Sequence, residues 1–416
     1  MLKGLIKKFT PGFLLSFYHY CLTAIGAFFY GFPSEKLVVI GVTGTSGKST
    51  VVELSSLILE TAGFKVASLS SFKFKIKDKE WENKLKMTMP GRMKIQRFLK
   101  QALKSGCKYA VLEVTSEGIK QCRHKFINFN TAVFTNLSPE HIESHGSFEK
   151  YRAAKRELFK ATPGIHIINI DDNNAEYFWK IPAEKKMGFG IKNQELGIKN
   201  IKLEKNYSSF IVYNSLFIIH LPGKFNLYNA LAAIEIARSQ GVSLEICQRA
   251  LEKIKVIPGR MEVVVKDPFI VIVDYAHTPE ALKQAYETLK NPKFQNSKLI
   301  CVLGSCGGGR DKWKRPVLGK IASQYCDKAI ITNEDPYNEE PMDIINQVAG
   351  DTKAEKILDR KEAIEKALQS ARAGDIVIIT GKGSEPWMCV KNNKKIPWSD
   401  KKIALDFLKD STKIEL

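Results

Sequence analysis

The sequence predicts an α/β fold with two domains, each built on a mostly parallel sheet. The first observation is that short apolar runs rich in Val and Ile alternate with stretches that repeat apolar residues at helical spacing. The second is that each apolar run ends in polar residues. Buried parallel strands have both features, and their carboxyl ends gather ligands at one edge of the sheet.

The strand candidates fall into two series. The first contains KLVVIGVTG, KYAVLEV, NTAVFTN and IHIINID, and the second contains PFIVIVDYAH, KLICVLG, KAIITNED and DIVIITGKG. Pro258 and Gly259 separate them, and turn residues of this kind are typical of a domain boundary. We therefore predict a short apolar and aromatic segment over residues 1–36, a central domain over 37–258 and a C-terminal domain over 259–416.

Composition excludes several classes of protein. Hydrophobic residues make up 44% and charged residues 26% of the 416 residues, which excludes disordered, collagen-like and multi-span membrane proteins. The net charge is +20, but the basic residues are spread over the whole chain, so we expect no nucleic-acid partner. The eight cysteines contain no C-x-x-C pair, which indicates free thiols in a reducing, cytoplasmic compartment rather than a zinc ribbon.

Residues 9–34 stand apart because they contain no Asp, Glu, Lys or Arg and are rich in aromatic side chains. Their length is close to what a bilayer requires, so contact with a membrane is one interpretation. The other is an aromatic helix buried against the domain behind it. The residues alone leave both interpretations open.

Residues 41–50, GVTGTSGKST, follow the first strand and open a helix. Glycines allow backbone N–H groups to surround an anion, and a helix N-terminus adds positive potential. The strict Walker pattern has a glycine where this chain has Val42, with Gly41 and Gly44 on either side. The segment nevertheless predicts a phosphate loop, so the central domain is expected to be an ATPase domain and the second a Rossmann-like α/β domain.

ATP and Mg²⁺ are the ligands that this loop predicts. Lys48 would neutralise the terminal phosphates, and the hydroxyl of Ser49 or Thr50 would bind Mg²⁺. The residues predicted to hold the phosphates are Gly44, Thr45, Ser46, Gly47, Lys48, Ser49 and Thr50. Glu113 ends a strand that should face the loop, and its carboxylate suits a hard cation, although a surface acid would have the same pattern.

The loop TGTSGKST resembles that of the Mur ligase superfamily. Further segments follow in family order: LEVTSEG, FTNLSPEHIESHGSFEKYRAAKRELF, GKFNLYNALAA, PGRMEVV, DYAHTPEAL, GSCGGGRDKWKRP, EDP with EEP, and GKGSE. The resemblance covers about residues 37–410 and is closest to the members that add the third residue of the peptide. It implies an ATP-dependent amide ligase of peptidoglycan assembly, which activates a carboxylate as an acyl phosphate and releases ADP and phosphate.

The resemblance also implies roles that the residues do not fix by themselves. His141 would hold a second Mg²⁺, although its position alone suits a capping histidine. Lys155 would be carbamylated by CO₂ to become a carboxylate-like metal ligand, although the basic residues around it in the sequence indicate a solvent-exposed helix face. Together with Lys48, these two residues are the predicted catalytic residues, and the predicted metal ligands are Ser49, Thr50, Glu113, His141 and Lys155.

ATP is expected between the two domains. The resemblance implies that Asn226 and Asn229 reach the nucleotide from the central domain, although short amides at that place can simply cap a helix. Arg260 at the domain junction would bridge phosphates. Asp274 and His277 would contact ATP from the C-terminal domain.

The partners implied are a free amino acid and a muramoyl-peptide precursor. The predicted substrate contacts are Thr88, Thr115, Gln121, Arg123, Arg310, Asp335, Gly381 and Glu385. Family members that add diaminopimelate have D-N-P-R where this chain has Glu334-Asp335-Pro336-Tyr337. Without that arginine, lysine or another diamine is expected rather than diaminopimelate.

Two alternatives remain open from the sequence. Only residues 1–36 precede the ATPase domain, so the family's N-terminal uridine-binding domain is expected to be absent or vestigial, and the acceptor to be UDP-linked, lipid-linked or a folate-like glutamyl chain. A phosphate-loop ATPase without ligase activity is the alternative from a different class. The predicted amino-acid contacts Arg310, Gly381 and Glu385 argue against it, because a plain ATPase has no use for them.

Overall fold

Two large sheets organise the chain. The computed structural model describes residues 11–85, 87–204, 207–290 and 297–410. Its helices are α1 Gly12–Tyr30, α2 Lys48–Thr61, α3 Arg92–Lys104, α4 Ser116–Lys120, α5 Ile142–His145, α6 Phe148–Lys160, α7 Ala175–Trp179, α8 Lys224–Ser239, α9 Leu244–Lys253, α10 Pro279–Leu289, α11 Lys314–Tyr325, α12 Pro341–Ala349, α13 Arg360–Ser370 and α14 Asp400–Asp410. Short 3₁₀ helices cover Pro33–Lys36, Gln194–Leu196 and Lys391–Asn393.

The first sheet has eight strands. They are β1 Val38–Thr43, β2 Val66–Leu69, β3 Lys73–Ile76, β4 Lys79–Glu82, β5 Tyr109–Glu113, β6 Phe129–Phe134, β7 Ile165–Asn169 and β8 Lys185–Phe189. Their order across the sheet is β4-β3-β2-β5-β1-β6-β7-β8, and all neighbouring strands are parallel except the pairs β2–β3 and β3–β4. Strand β1 is central, with Val42 paired to Glu113 on one side and Thr43 to Phe134 on the other.

Helices cover both faces of this sheet. One core packs α2, α8 and α9 against it, together with a three-stranded antiparallel sheet of β9 Lys199–Leu203, β10 Ser208–Val212 and β11 Ser215–Ile219. The core on the other face includes residues of α3 and α6. Burial on both faces explains why the predicted strands are almost wholly apolar.

The second sheet carries the C-terminal half. Its strands are β12 Glu262–Val265, β13 Ile270–Asp274, β14 Leu299–Leu303, β15 Lys328–Thr332, β16 Glu355–Ile357 and β17 Ile376–Thr380. The order is β12-β13-β17-β14-β15-β16, with β12 alone antiparallel. Helices α10, α11 and α12 pack on one face and α13 and α14 on the other, and a hairpin of β18 Trp387–Val390 and β19 Lys394–Pro397 follows. The predicted α/β fold with two mostly parallel sheets is confirmed.

Local signals set the helices that border the site. Ser147 caps α6 by accepting a hydrogen bond from the Lys150 N–H, as its residue type predicts. Helix α2 ends at Thr61, and Gly63 follows with φ +87°, a conformation that favours glycine. Both helices therefore begin and end where the sequence indicates.

Helix α1 occupies most of the uncharged segment 9–34, of which residues 9 and 10 lie outside the described residues. It packs on α3, and Thr23 and Ala27 are fully buried on that side. The other side is exposed at Phe17 and Phe28, so the buried-helix interpretation holds for one face only. Among the described helices, none is long and apolar enough to cross a bilayer.

Candidate active site

A cavity of about 1200 Å³ lies at the carboxyl ends of the central strands of the first sheet and is closed by residues of the C-terminal half. The predicted site residues that line it are Gly44, Thr45, Ser46, Gly47, Lys48, Ser49, Thr50, Thr88, Glu113, Thr115, Gln121, Arg123, His141, Lys155, Asn229, Arg260, Asp274, His277, Arg310 and Glu385. Asn226, Asp335 and Gly381 are not among the lining residues. Residues as far apart in sequence as Gly44 and Glu385 therefore meet in one cavity.

The phosphate loop joins β1 to α2 and touches its neighbours closely at two glycines. A Cβ on Gly44 would lie 1.9 Å from the Thr135 Oγ1 atom, and one on Gly47 would lie 2.3 Å from the Asn229 Oδ1 atom. Gly47 also has φ +82°. Any larger side chain would push the loop out of place, so both positions require glycine.

Lys48 and Glu113 lie at the base of the loop. The Lys48 Nζ atom donates to the Thr45 carbonyl at 2.8 Å and lies 3.9 Å from a Glu113 carboxylate oxygen. The other Glu113 oxygen accepts from the Ser49 hydroxyl at 2.6 Å and from the Ser71 N–H at 2.9 Å. Burial lowers the pKa of Lys48, while the Glu113 carboxylate opposes that shift.

Lys155 points from α6 to the same loop. Its Nζ atom donates to the Gly44 carbonyl at 2.7 Å and lies 4.6 Å from the centre of the Tyr151 ring. The residue is 2% exposed. Burial, and then the neighbouring Lys48 ammonium, hold the pKa of Lys155 well below its ordinary value. The solvated-face alternative is therefore wrong for this position, because the side chain leaves the surface and enters the cavity.

His141 and Glu140 form the next part of the wall. Burial, followed by the charge of Arg310, lowers the pKa of His141 to about 2, so its imidazole is neutral. One oxygen of buried Glu140 accepts from the Lys314 Nζ atom at 2.8 Å, and the other has no hydrogen-bond partner among the described residues. Glu140 and His141 are adjacent in sequence, so a carboxylate oxygen without a partner among the described residues and a neutral imidazole both lie at the cavity wall.

The C-terminal half contributes Arg260, Asp274 and His277. Arg260 donates to the Ser71 hydroxyl at 3.1 Å and lies over the Tyr275 ring at 4.3 Å. Asp274 accepts from the backbone N–H groups of Met261 and Ala276, at 2.7 and 2.8 Å. Its carboxylate therefore holds the turn that positions Arg260. Burial lowers the pKa of His277, whose Nδ1 atom is 2.8 Å from the Tyr275 carbonyl oxygen.

The two asparagines of α8 have different positions. Asn229 lines the cavity beside Gly47. Asn226 accepts from the Asn229 amide at 3.1 Å and donates to the Pro222 carbonyl at 2.8 Å. Asn226 thus lies behind Asn229 and orients it. It neither lines the cavity nor caps α8, whose N-cap residue is Gly223 and has no side-chain cap.

The predicted acceptor contacts cluster at one end. Arg123 donates to the Gln121 side chain at 2.7 Å and to the Met89 carbonyl. Thr115 caps α4 by accepting from the Gly118 N–H at 3.1 Å, and Thr88 lies nearby on the lining. Arg123 is buried without an ion pair among the described residues, a state that suits an anionic ligand.

The predicted amino-acid contacts come from the C-terminal half, but not all reach the cavity. Arg310 and Glu385 line it. Glu385 approaches the Lys382 Nζ atom at 2.5 Å, and Asp335 pairs with the same ammonium at 2.9 Å. Asp335 also accepts from the Cys389 N–H, so it holds Lys382 and the hairpin rather than the cavity. At Gly381 a Cβ would lie 1.9 Å from a Glu334 oxygen, so the glycine leaves room for the Glu334 carboxylate.

Four polar residues of the site had not been predicted. Ser71 links Ser49, Glu113 and Arg260, and the Asn136 side chain accepts from the Ser46 N–H at 2.9 Å. Glu140 and Lys314 form an ion pair between the two halves of the chain. Asn136, Glu140 and Lys314 lie inside segments that resemble the family, so the resemblance could have identified them. Ser71 lies in no motif, so no feature of the sequence pointed to it.

A phosphate loop on one sheet that faces a second α/β domain across a shared cavity is the arrangement of a nucleotide-dependent, two-domain enzyme. Residues 42–237 match the Mur ligase middle domain, and residues 259–383 match the Mur ligase glutamate ligase domain. The chain belongs to the Mur ligase family and is an ATP-dependent ligase.

The comparisons with individual proteins agree. The UDP-N-acetylmuramoyl-L-alanyl-D-glutamate–2,6-diaminopimelate ligase of Syntrophomonas wolfei is 38% identical over 94% of this chain and 82% of its own length. A solved structure of a ligase of the same name has a TM-score of 0.61 and 29% identity, over 91% of this chain and 79% of that one. Folylpolyglutamate synthase of Mycobacterium tuberculosis, with ADP and AMPPCP, has a TM-score of 0.73 at 16% identity over 87% and 92%, and shows a shared fold.

The close approach of the loop to α8 generates a prediction. Gly47→Ala should lower kcat/KM for ATP by about 100-fold, because the new methyl group displaces the loop by roughly an ångström. Steady-state ATP turnover would measure this effect.

Gly63→Ala is the matched control. Gly63 has φ +87° at the other end of the same helix, and a Cβ there would meet no atom within 4 Å. We expect it to lose about 1 kcal/mol of stability with unchanged turnover. Equal loss of turnover in both variants would attribute the effect to backbone strain and contradict the proposed contact with Asn229.

Proposed function

We propose that this chain joins an amino acid to the carboxylate of a muramoyl-peptide precursor, with ATP converted to ADP and phosphate. The observation that carries the proposal is the single cavity in which the phosphate loop faces Arg310 and Glu385 of the C-terminal half. The relatives support this choice, because their names give UDP-N-acetylmuramoyl-L-alanyl-D-glutamate and 2,6-diaminopimelate as substrates.

The loop would bind the phosphates of ATP. Backbone N–H groups at the start of α2 have no partner within the helix, so they are available to an anion. Lys48 would offset the negative charge that grows on the γ-phosphoryl group as the acceptor carboxylate attacks its phosphorus atom and ADP leaves. The result is an acyl phosphate, whose carbonyl carbon the amine nitrogen then attacks as phosphate departs and the nitrogen loses a proton.

The cavity fits Mg²⁺ at the loop. Ser49 and Glu113 already bring two oxygen ligands to 2.6 Å of each other, and Glu140 has a buried oxygen without a partner among the described residues. Hard oxygen donors of this kind suit Mg²⁺, which would neutralise phosphate charge. We propose Ser49 or Thr50 and Glu113 as ligands of one ion, and His141 and modified Lys155 as ligands of another.

Lys155 would act as a carbamate. Its lowered pKa favours the neutral amine, whose nitrogen can attack the carbon of CO₂ and release a proton. The modified side chain carries a negative charge next to Lys48 in place of a second buried positive charge. The modification therefore removes a repulsion that the unmodified, protonated side chain would maintain.

The two ends of the cavity would receive the two remaining substrates. Arg310 would pair with the carboxylate of the free amino acid, and Glu385 would bind its ammonium group. Thr88, Thr115, Gln121 and Arg123 would contact the muramoyl-peptide precursor. A precursor with an anionic group beside Arg123 is expected, since that guanidinium is buried without an ion pair among the described residues.

Ligation can be tested directly. The full chain would be incubated with ATP, a panel of amino acids, and either UDP-linked or lipid-linked muramoyl dipeptide. We expect ADP and phosphate to form in equal amounts with a peptide product detected by mass spectrometry, and Lys48→Ala to abolish all three. Stoichiometric AMP and pyrophosphate, or ATP hydrolysis that no acceptor alters, would refute the proposal.

The carbamate generates its own prediction. Lys155→Ala should lose roughly 1000-fold in kcat and recover part of it with added formate or acetate, because a small carboxylate can occupy the vacated space. Lys155→Arg should be inactive and not rescued, since the positive charge remains. Lys150→Ala is the control, because Lys150 is exposed on the same helix, and its kcat should equal that of the wild type. Near-normal activity of Lys155→Arg would exclude the carbamate.

The amino acid can be tested at Tyr337. This residue lies under the glycine run that leads to Arg310, with its ring 2.5 Å from where a Gly308 Cβ would be. We expect a higher kcat/KM for lysine than for diaminopimelate, because position 337 has no arginine to pair with the distal carboxylate. Tyr337→Arg should shift the ratio toward diaminopimelate by at least about tenfold.

Asn338→Arg is the matched control. It adds the same charge at the next residue, which is exposed. The ratio of kcat/KM for lysine to kcat/KM for diaminopimelate should stay unchanged if the location of the arginine, rather than the total charge, decides specificity. A wild-type preference for diaminopimelate would contradict this part of the proposal and leave the ligase function intact.

A further inference from the structure

The outer face of helix α1 carries a continuous apolar stripe. Its members are Leu14, Phe17, Tyr18, Cys21, Ile25, Phe28 and Phe29. They recur every three or four residues, so they share one side of the helix. Phe28 is 80% exposed, Phe29 71% and Phe17 66%. Large aromatic side chains this exposed along a whole helix face indicate a surface that binds something.

The opposite face of α1 is fixed to the domain. Thr23 and Ala27 are fully buried, and the Thr23 hydroxyl donates to the Cys122 carbonyl at 3.2 Å. Gly26 lies so close to α3 that a Cβ would be 3.0 Å from the Met93 sulfur atom. The stripe therefore cannot turn inward without the loss of these contacts.

Helix α3, beside α1, adds positive charge. It carries five basic residues and no acidic residue, and α1 carries no charged residue at all. Arg97, Lys100 and Lys104 line a groove together with Phe28 and Phe29. In the portions that the structure describes, these three cations form no ion pair with a carboxylate. Aromatic side chains thus lie next to uncompensated positive charge.

We propose that the stripe of α1 and the basic residues of α3 form a docking surface for an anionic lipid bilayer. Phe, Tyr, Leu and Ile side chains enter the boundary between headgroups and acyl chains, while Lys and Arg contact anionic headgroups. The helix would lie in the plane of the membrane surface rather than cross it, which agrees with the absence of a spanning helix among those described. A protein partner of this charge pattern would need an acidic rim, whereas an anionic bilayer supplies both features together.

The surface is connected to the cavity by hydrogen bonds. His19 of α1 contacts the Arg92 guanidinium, whose Nε atom donates to the Gln121 carbonyl at 3.3 Å. Gln121 in turn accepts from Arg123, and both line the acceptor end of the cavity. Docking would therefore bring that end close to the lipid surface. The docking proposal itself depends only on this surface and not on the proposed ligation.

Vesicle binding by the full chain tests the proposal. We expect the protein to float with vesicles of phosphatidylglycerol and phosphatidylcholine, and to bind pure phosphatidylcholine at least about tenfold more weakly. The triple variant Phe17→Ser, Phe28→Ser, Phe29→Ser should lose at least about tenfold in affinity for the anionic vesicles. Arg97→Gln, Lys100→Gln, Lys104→Gln should lose roughly 100-fold and most of the salt dependence, at about 1 kcal/mol for each charge.

A control variant removes three other exposed apolar side chains that lie elsewhere on the chain. Leu216, Val256 and Leu358 are 54%, 49% and 48% exposed, and their triple serine variant should bind vesicles as the wild type does. Circular dichroism and ATP turnover would verify that every variant is folded. Failure of the wild type to bind anionic vesicles, or equal binding by the Phe variant, would overturn the proposal. A dimer that dissociates in the Phe variant, without vesicle binding, would instead identify the stripe as a contact between copies of this chain.

Discussion

The burial of two lysines under one loop is the constraint on which the rest of the site depends. Lys48 donates to the Thr45 carbonyl and Lys155 to the Gly44 carbonyl, one residue away. Two neighbouring positive charges that are both buried are unfavourable unless an anion binds or one lysine loses its proton. Glu113 supplies one negative charge. The site therefore lacks negative charge, which phosphate groups or a modified Lys155 would supply.

The same site couples the two halves of the chain. Glu113 binds the Ser71 N–H, and the Ser71 hydroxyl accepts from Arg260 of the C-terminal half. Glu140 pairs with Lys314, and Glu143 accepts from the Lys312 N–H. These contacts are polar, and Phe225 of α8 adds an apolar contact with the core of the C-terminal half. Opening to admit substrates and closing to bring Arg260 onto the loop is the movement that such an interface favours.

The parts of this structure that the sequence predicted are those with local signals. Buried strands appear as apolar runs, and Ser147 and Gly63 mark helix ends by their own chemistry. The β3–β4 hairpin and the β9–β11 sheet were not predicted, because these short antiparallel strands include exposed charged positions such as those of β4. Ser71 meets Arg260 across 189 residues of sequence, and no local pattern carries that information.

Positive charge is concentrated around the phosphate loop. Lys48, Lys155 and Arg260 lie there with the carboxylates of Glu113 and Glu140, of which Glu140 also pairs with Lys314. In the C-terminal half, Asp335 and Glu385 share the Lys382 ammonium. Buried Glu334 lies behind Gly381, with one oxygen that has no hydrogen-bond partner among the described residues. The phosphate loop therefore has the positive charge that suits a polyphosphate, and Glu385, which lines the cavity, is a carboxylate that suits a cationic group.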